Sequence, residues 1–464
     1  MSYKIAVIGG GSVLWMPRLG ADLLLEKSLQ GSEMCLVDID RKAALLTREY
    51  LEKMNNIASS KWKIHITTED EALDGADCVV ISISTGKFEA MEIDCTLPEK
   101  YGVYATVGDT VGPAGISRSL RNIPVFLAIA EKMTRLCPDA TMVHVTNPLT
   151  QLTRAVNKSG LVKCVGLCHE FTAIMSMLQR YFKKDSITDL DGICMGVNHF
   201  TILTDLVVKG IKDPMRKLNI KDYLKFELAF QGSRTTGTVD DDVRKAVNEK
   251  VILRNYFNFK LFEELKIDAF PAAGPAHFCE NFSFYNHNMD VLKSLYIERK
   301  KVIPDRVEGK KKRAEKLRSI LENKETPPEI EKRSAECLAD VVVGLCTGEP
   351  RKVIAALPNQ GQISNLPEDA VVETWAVASR GGVTPLAAGK VPEPYRGFMQ
   401  QIITEQELTV EAAMEGSKEK FIQALISSPE MYDKRPETAK TLAEEFLKAH
   451  KKYLPQFFKK QTKK

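Results

Sequence analysis

Three short segments carry most of the side chains able to do chemistry: Leu167-Cys168-His169-Glu170, Val197-Asn198-His199 and Thr146-Asn147-Pro148. A thiolate from Cys168 and an imidazole from His199 make a donor pair for a divalent transition metal, with coordination positions left for two substrate oxygens. Each residue alone also suits a structural role, since cysteine is common in apolar strands and histidine in satisfied cores. The chain has only seven histidines, so finding the pairs Cys168-His169 and Asn198-His199 at the ends of expected strands weakens the structural readings, and spacing alone leaves a site and a structural role about evenly matched. His169 is then a further acid–base candidate and Asn198 a candidate substrate contact. The Asn147 carboxamide would hold a sugar hydroxyl or a nucleotide ribose, or would only close a turn before a helix that Pro148 begins.

A glycine turn near the amino terminus supplies the other half of the chemistry. After the apolar run at 5–8 come Gly9, Gly10, Gly11 and Ser12, a sequence that lets backbone N–H groups approach a pyrophosphate at a helix start. The third glycine of the full dinucleotide fingerprint is missing, because Leu14 occupies that position. Asp38 ends the next strand, where a carboxylate accepts from the adenosine ribose hydroxyls and repels a 2′-phosphate, so NAD is expected over NADP. The competing possibility is the glycine turn of a flavodoxin-like protein that binds no dinucleotide.

The elements that must position these residues can be read from periodicity. Strand-length apolar runs at 5–8, 34–37, 63–66, 78–83, 142–145 and 164–167 alternate with helical patterns at 15–28, 41–54, 117–136 and 148–158. That rhythm predicts a Rossmann-like, doubly wound parallel sheet in an α/β fold. From about residue 190 it gives way to a strand pair joined at Asn198-His199, then to mixed segments, a helical stretch at 308–348, strands and turns at 357–373, and helices at 404–427 and 436–449. Two lobes are expected, a nucleotide-binding lobe over 1–195 and a second α+β lobe over 196–464 for substrate, metal and oligomer contacts.

Composition narrows the class. Of 464 residues, 65 are basic and 61 acidic, for a net charge of +4, a balance that predicts neither a nucleic-acid nor a membrane partner. The basic run Lys310-Lys311-Lys312-Arg313 reads as a solvated helix face, and Lys459-Lys460 with Lys463-Lys464 as a frayed end. No apolar run approaches the roughly 18 residues of a membrane span, and the start does not read as a secretory signal. Ten scattered cysteines without a CxxC pair suggest reduced thiols in the cytoplasm rather than disulfides or structural zinc.

Taken together, the motifs resemble glycoside hydrolase family 4, the NAD- and divalent-metal-dependent glycosidases that depart from the usual two-carboxylate chemistry. The resemblance covers nearly the whole chain: residues 9–12, 36–40, 145–148, 166–170, 196–199, Pro358-Asn359-Gln360-Gly361 and Leu408-Thr409-Val410-Glu411-Ala412-Ala413. It implies that Cys168 and His199 bind manganese or a similar ion and that Asn147 positions the sugar. It also implies a reaction order: hydride leaves sugar C3 for NAD, a base takes the acidified C2 proton while the metal stabilises the enediolate, the glycosidic oxygen departs, water adds at C1 and the hydride returns. Dimers or tetramers are implied as well.

Within the family, Tyr101-Gly102-Val103-Tyr104, residues 107–113 and Cys168-His169-Glu170-Phe171 look most like the α-galacturonidase branch, which implies an anionic, α-linked sugar such as a galacturonide or glucuronide. Arg118, Arg121 or Lys87 would supply the cation for its carboxylate, unless they are helix-surface charges. Asp109 is a candidate acid near the leaving group, or a turn residue. In many α-acting members an aspartate base follows a Pro-x-x-Gly segment. Here that segment reads Pro271-Ala272-Ala273-Gly274-Pro275-Ala276-His277-Phe278-Cys279-Glu280, and proline stands in the place of the carboxylate. Either His277 or Glu280 takes the C2 proton, or the loop serves another substrate, or activity is lost. The alternatives to a glycosidase are an NAD-dependent 2-hydroxyacid dehydrogenase of lactate or malate type and an inactive NAD-binding member of the family.

Overall fold

The computed structural model describes residues 2–250, 252–286, 289–297, 302–328 and 333–458. The lysine pairs at 459–460 and 463–464 lie outside them. Twelve strands among the described residues form one sheet. Its first half is parallel: β1 (Lys4–Ile8), β2 (Glu33–Val37), β3 (Lys63–Ile66), β4 (Cys78–Ile81), β5 (Thr141–His144) and β6 (Cys164–Gly166). They lie in the order β3-β2-β1-β4-β5-β6, the doubly wound arrangement in which ligands bind beyond the carboxyl ends of the strands. The central strands are apolar on both faces because helices cover both. Ala6 and Ile8 pack with Ile116, Leu120 and Ile123 of the helix Gly112–Leu136 on one side. Ile5 and Val7 pack with Leu19 and Leu23 of the helix Met16–Leu25 on the other, as the two-residue period of a strand requires.

The sheet does not stop at β6. It continues antiparallel through β10 (Arg351–Pro358), β11 (Val371–Ser379), β7 (Leu190–Val197), β8 (Phe200–Val208) and β9 (Phe270–Pro271), with β12 (Gly382–Pro385) paired to β11. The position expected for a lobe boundary, between 195 and 196, thus falls inside β7, and the second half of the chain shares its sheet with the first. One row of cross-strand partners, Gly166 to Ala356, Ala356 to Glu373 and Glu373 to Gly196, ties the end of β6 to the end of β7. This register places Cys168 and the Asn198-His199 hairpin turn at the same edge of the sheet, beyond β6 and β7 with β10 and β11 between them.

Two helical stretches differ from the periodicity. The pattern at 404–427 is two helices, Glu393–Glu415 and Lys418–Ser427. Gly416 breaks them at φ 68°, where an added Cβ would collide with the Gln456 carbonyl. The stretch 308–348 likewise resolves into Val302–Leu321 and Leu338–Thr347. Pro148 caps its helix through a cis Asn147–Pro148 bond rather than opening it; the helix starts at Leu149. Among the described residues, no helix is long and apolar enough to cross a membrane.

Candidate functional site

At the end of β1 the chain turns so tightly that side chains are excluded. Gly9 has φ 93° and a Cβ there would overlap the Ser82 carbonyl, while a Cβ on Gly10 would lie 2.8 Å from Leu36 Cβ and one on Gly11 2.8 Å from an Asp38 carboxylate oxygen. Asp38 accepts from the Gly11 N–H at 2.8 Å and, through its other oxygen, from Asp40 N at 2.8 Å. A carboxylate has lone pairs beyond these two bonds, so Asp38 both fixes the turn and keeps acceptor capacity for a ribose. Ser12 closes the turn through its backbone, donating to Gly9 O and accepting from Met16 N. No side chain caps the following helix at Trp15, so its positive end is available to an anion. A dinucleotide pyrophosphate fits this cradle.

The second part of the site converges from six places in the chain. His199 sits at the tip of the β7–β8 hairpin at φ 62°, a left-handed conformation uncommon for a residue with a side chain. Its ring stacks on His277, centroids 3.8 Å apart and planes at 19°. His277 Nδ1 lies 2.6 Å from Glu170 Oε1 and its Nε2 3.3 Å from Asp109 Oδ1. Glu170 is steadied by the Gly274 N–H at 2.9 Å. Asp109 also receives Arg306 Nη2 at 3.0 Å, the Thr110 hydroxyl at 3.1 Å and Asn147 Nδ2 at 3.4 Å. Donor atoms of Asp109, His199 and His277 all lie within 4.8 Å of one another.

Protonation follows from this packing. Burial and the neighbouring His277 charge push His199 down to about 4, so its imidazole is neutral. The Thr110 hydroxyl gives its proton to Asp109 and therefore accepts from His199 Nδ1, 2.6 Å away. That tautomer leaves the Nε2 lone pair free, the form that ligates a metal. Burial alone would push His277 down as well, but the Glu170 charge and hydrogen bonds to Asp109 and Glu170 push it well above the usual imidazole value. Burial pushes the two carboxylates up, but His277 pulls both well below their usual range. Cys168, half-buried just past β6, is pushed up by burial and by the Glu373 and Glu170 charges. A thiol beside an N–H-fixed carboxylate and a neutral imidazole with its lone pair exposed suit a transition ion that displaces the thiol proton.

The structure separates several residues that sequence reasoning grouped. Arg121 is no substrate cation: it is fully buried in a two-pronged ion pair with Asp94, at 2.6 and 2.7 Å. Glu280 is turned away from proton abstraction; its carboxylate accepts from Val107 N and Gly108 N at 2.6 and 2.9 Å and clamps the loop that carries Asp109. Asp109, expected as an acid near the leaving group, rests ionised between His277 and Arg306. His169 lies on the cofactor side, its Nδ1 3.4 Å from Glu336 and its ring 6.1 Å from Trp15. Lys87 is exposed at the start of its helix. Asn198 donates to Glu373 at 3.1 Å, and burial pushes that carboxyl up to about 8. Arg118 reaches the Asn147 carbonyl at 3.1 Å. Glu170, Thr110 and Arg306 were not singled out from sequence. Glu170 had a usable signal, a carboxylate two residues past a candidate ligand at a strand end; Arg306 had none, lying in a helix of mixed charge.

The profile described as family 4 glycosyl hydrolase matches residues 4–184, and that of the family 4 glycosyl hydrolase C-terminal domain matches residues 194–431. The chain belongs to this family. Family membership sets aside the lactate- or malate-type dehydrogenase. An α-galacturonidase of Thermoanaerobacterium saccharolyticum is 32% identical over 97% of this chain and 96% of its own length. One of Bacillus subtilis is 31% identical over 92% and 93%. Among solved structures, a 6-phospho-β-glucosidase of Thermotoga maritima with NAD and glucose-6-phosphate superposes with a TM-score of 0.75 at 25% identity, covering 97% of this chain and 98% of its own.

Proposed function

We propose that this family 4 member cleaves α-linked uronic acids, galacturonides first, with NAD and manganese or a similar divalent ion. The observation that carries the reading is the buried stack of a neutral His199 on a charged His277, held between Glu170 and Asp109 beside a glycine turn built for a dinucleotide. The galacturonidase relatives support the substrate class. His199 through Nε2 and Cys168 as thiolate would hold the metal, and Gly9, Gly11, Ser12 and Asp38 the cofactor. When bound, these groups supply reversible hydride acceptance at sugar C3 and polarisation of the neighbouring sugar oxygens.

The chain's own residues do the rest. Thr110 keeps His199 in the ligating tautomer, and the Asn147 carboxamide orients a sugar hydroxyl. His277 is the acid–base residue at C2: with its Nε2 proton passed to Asp109 Oδ1, 3.3 Å away, that nitrogen can take the C2 proton while Nδ1–H stays bound to Glu170. It fills the role that Pro275 cannot. Burial excludes competing water from the acidified carbon. Because Cys168 must stay reduced to ligate, a cytoplasmic setting suits the chemistry; the family resemblance favours a homodimer or homotetramer, measurable by light scattering.

The test is an assay of p-nitrophenyl α- and β-glycosides and uronides with NAD, manganese and reductant each omitted in turn. The reading expects α-uronide cleavage that needs all three and leaves no net NADH. Cleavage that survives without NAD, or in Cys168→Ser, would overturn it.

A further inference from the structure

Arg118 is a buried cation with no ion pair among the described residues. Its side chain belongs to the helix Gly112–Leu136 and is 7% exposed. Among the described residues no carboxylate lies within ion-pair distance of it. Its donors instead meet a backbone carbonyl, Asn147 O, at 3.1 Å, and two neutral atoms at the outer limit of contact, Ser84 Oγ at 3.5 Å and Met91 Sδ at 3.6 Å. Guanidinium has five N–H donors, and a buried charge so poorly matched is costly unless something else completes it. Arg121, one turn along the same helix, shows the contrast: its guanidinium pairs with both Asp94 oxygens and also donates to the Thr85 and Ser117 carbonyls.

A second guanidinium approaches from the open side. Arg306, on the helix Val302–Leu321, is 31% exposed at its side chain, and among the described residues it pairs with Asp109. Asp109 is joined to Asn147, whose carbonyl in turn holds Arg118, so the two arginines flank one polar unit.

We propose that Arg118 and Arg306 form a two-sided clamp for the carboxylate of the sugar, Arg118 from the buried wall and Arg306 from the mouth, and that this clamp sets the preference for uronides. The clamp rests on the uronidase reading above. Arg306 exchanges Asp109 for the incoming carboxylate, and Arg118 gains the bidentate partner it lacks. The helix Val302–Leu321 thereby contributes a specificity-determining residue from more than a hundred positions beyond the metal ligands.

The experiment compares Arg306→Ala, Arg306→Lys and Arg118→Lys with wild type, each supplied with NAD and manganese. kcat/KM is measured on p-nitrophenyl α-galacturonide and p-nitrophenyl α-galactoside, and calorimetry follows titration of galacturonate and of galactose. Loss of one charge-assisted pair should lower the galacturonide-to-galactoside preference about 100-fold in Arg306→Ala, chiefly through KM. Arg306→Lys should regain part of it, and galacturonate affinity should fall in parallel. Equal losses on both substrates would overturn the clamp and leave the arginines a structural role. If wild type prefers uronides and the variants keep that preference, the clamp fails while the uronidase reading stands. If wild type shows no such preference, the substrate class itself fails, and the clamp with it.

Discussion

Replacing Glu170 with glutamine tests the electrostatics of the site with little change in shape. The carboxamide oxygen can still accept from Gly274 N, the bond now 2.9 Å long. At His277 the change is severe, because Nδ1 loses an ionised partner 2.6 Å away and meets either an N–H₂ or a neutral oxygen. Hydrogen bonds to charged groups are worth about 1.5–3 kcal/mol, and 1.36 kcal/mol corresponds to one pKa unit. The His277 titration should therefore move down by about 1–2 units in the metal-free protein, towards the ordinary imidazole value. The sign for stability follows. His277 titrates higher in the folded than in the unfolded protein, so its contribution is full below the unfolded value near 6.5 and is lost as pH rises through the raised one. Glu170→Gln should narrow that window from above. The assay is NMR of histidine labelled at Cε1, with His277→Gln assigning the resonance, alongside denaturant melts at several pH values. A His277 titration that stays within about 0.3 units of wild type would refute the pairing on which the acid–base assignment rests.

Three further outcomes follow from particular contacts. Thr110→Val removes the acceptor that fixes the His199 tautomer, and manganese affinity, followed by electron paramagnetic resonance, should drop about 10–100-fold. Gly11→Ala forces a methyl against Asp38 and the Ala44 backbone; NAD affinity should fall and stability drop by about 1–3 kcal/mol, read by calorimetry and guanidinium melts. Burial pushes Glu405 up to about 8, so wild type should lose stability as pH rises from the ordinary carboxylate range through that value; Glu405→Gln should flatten the decline between melts at pH about 5 and about 9.

The nucleotide-binding half was legible because its signals are local. Most parallel strands are short apolar runs close to a turn residue, and every expected strand from 5–8 to 164–167 lies within a residue or two of an observed one. The antiparallel half was less so. Its strands β10 and β11 are inserted between β6 and β7, a pairing between segments over 150 residues apart that no period reveals. The same long range hid Arg306, which meets Asp109 across 197 positions. Sequence grouped Arg118 with Arg121, although one carries no ion pair among the described residues and the other is sealed by Asp94; only packing distinguishes two arginines three residues apart on one helix. Glu280 misled for a related reason, since a carboxylate near a candidate base reads the same whether it faces substrate or two backbone N–H groups.

The central claim is that His277 exchanges a proton with sugar C2 while NAD is reduced and reoxidised within one turnover. Hydrolysis of p-nitrophenyl α-galacturonide in deuterium oxide, with NAD and manganese, tests it directly by NMR of the released galacturonate. The account predicts deuterium at C2, retention of the original hydrogen at C3 and no build-up of NADH, with C2 labelling abolished in His277→Gln. Galacturonate released with protium at C2 would contradict it.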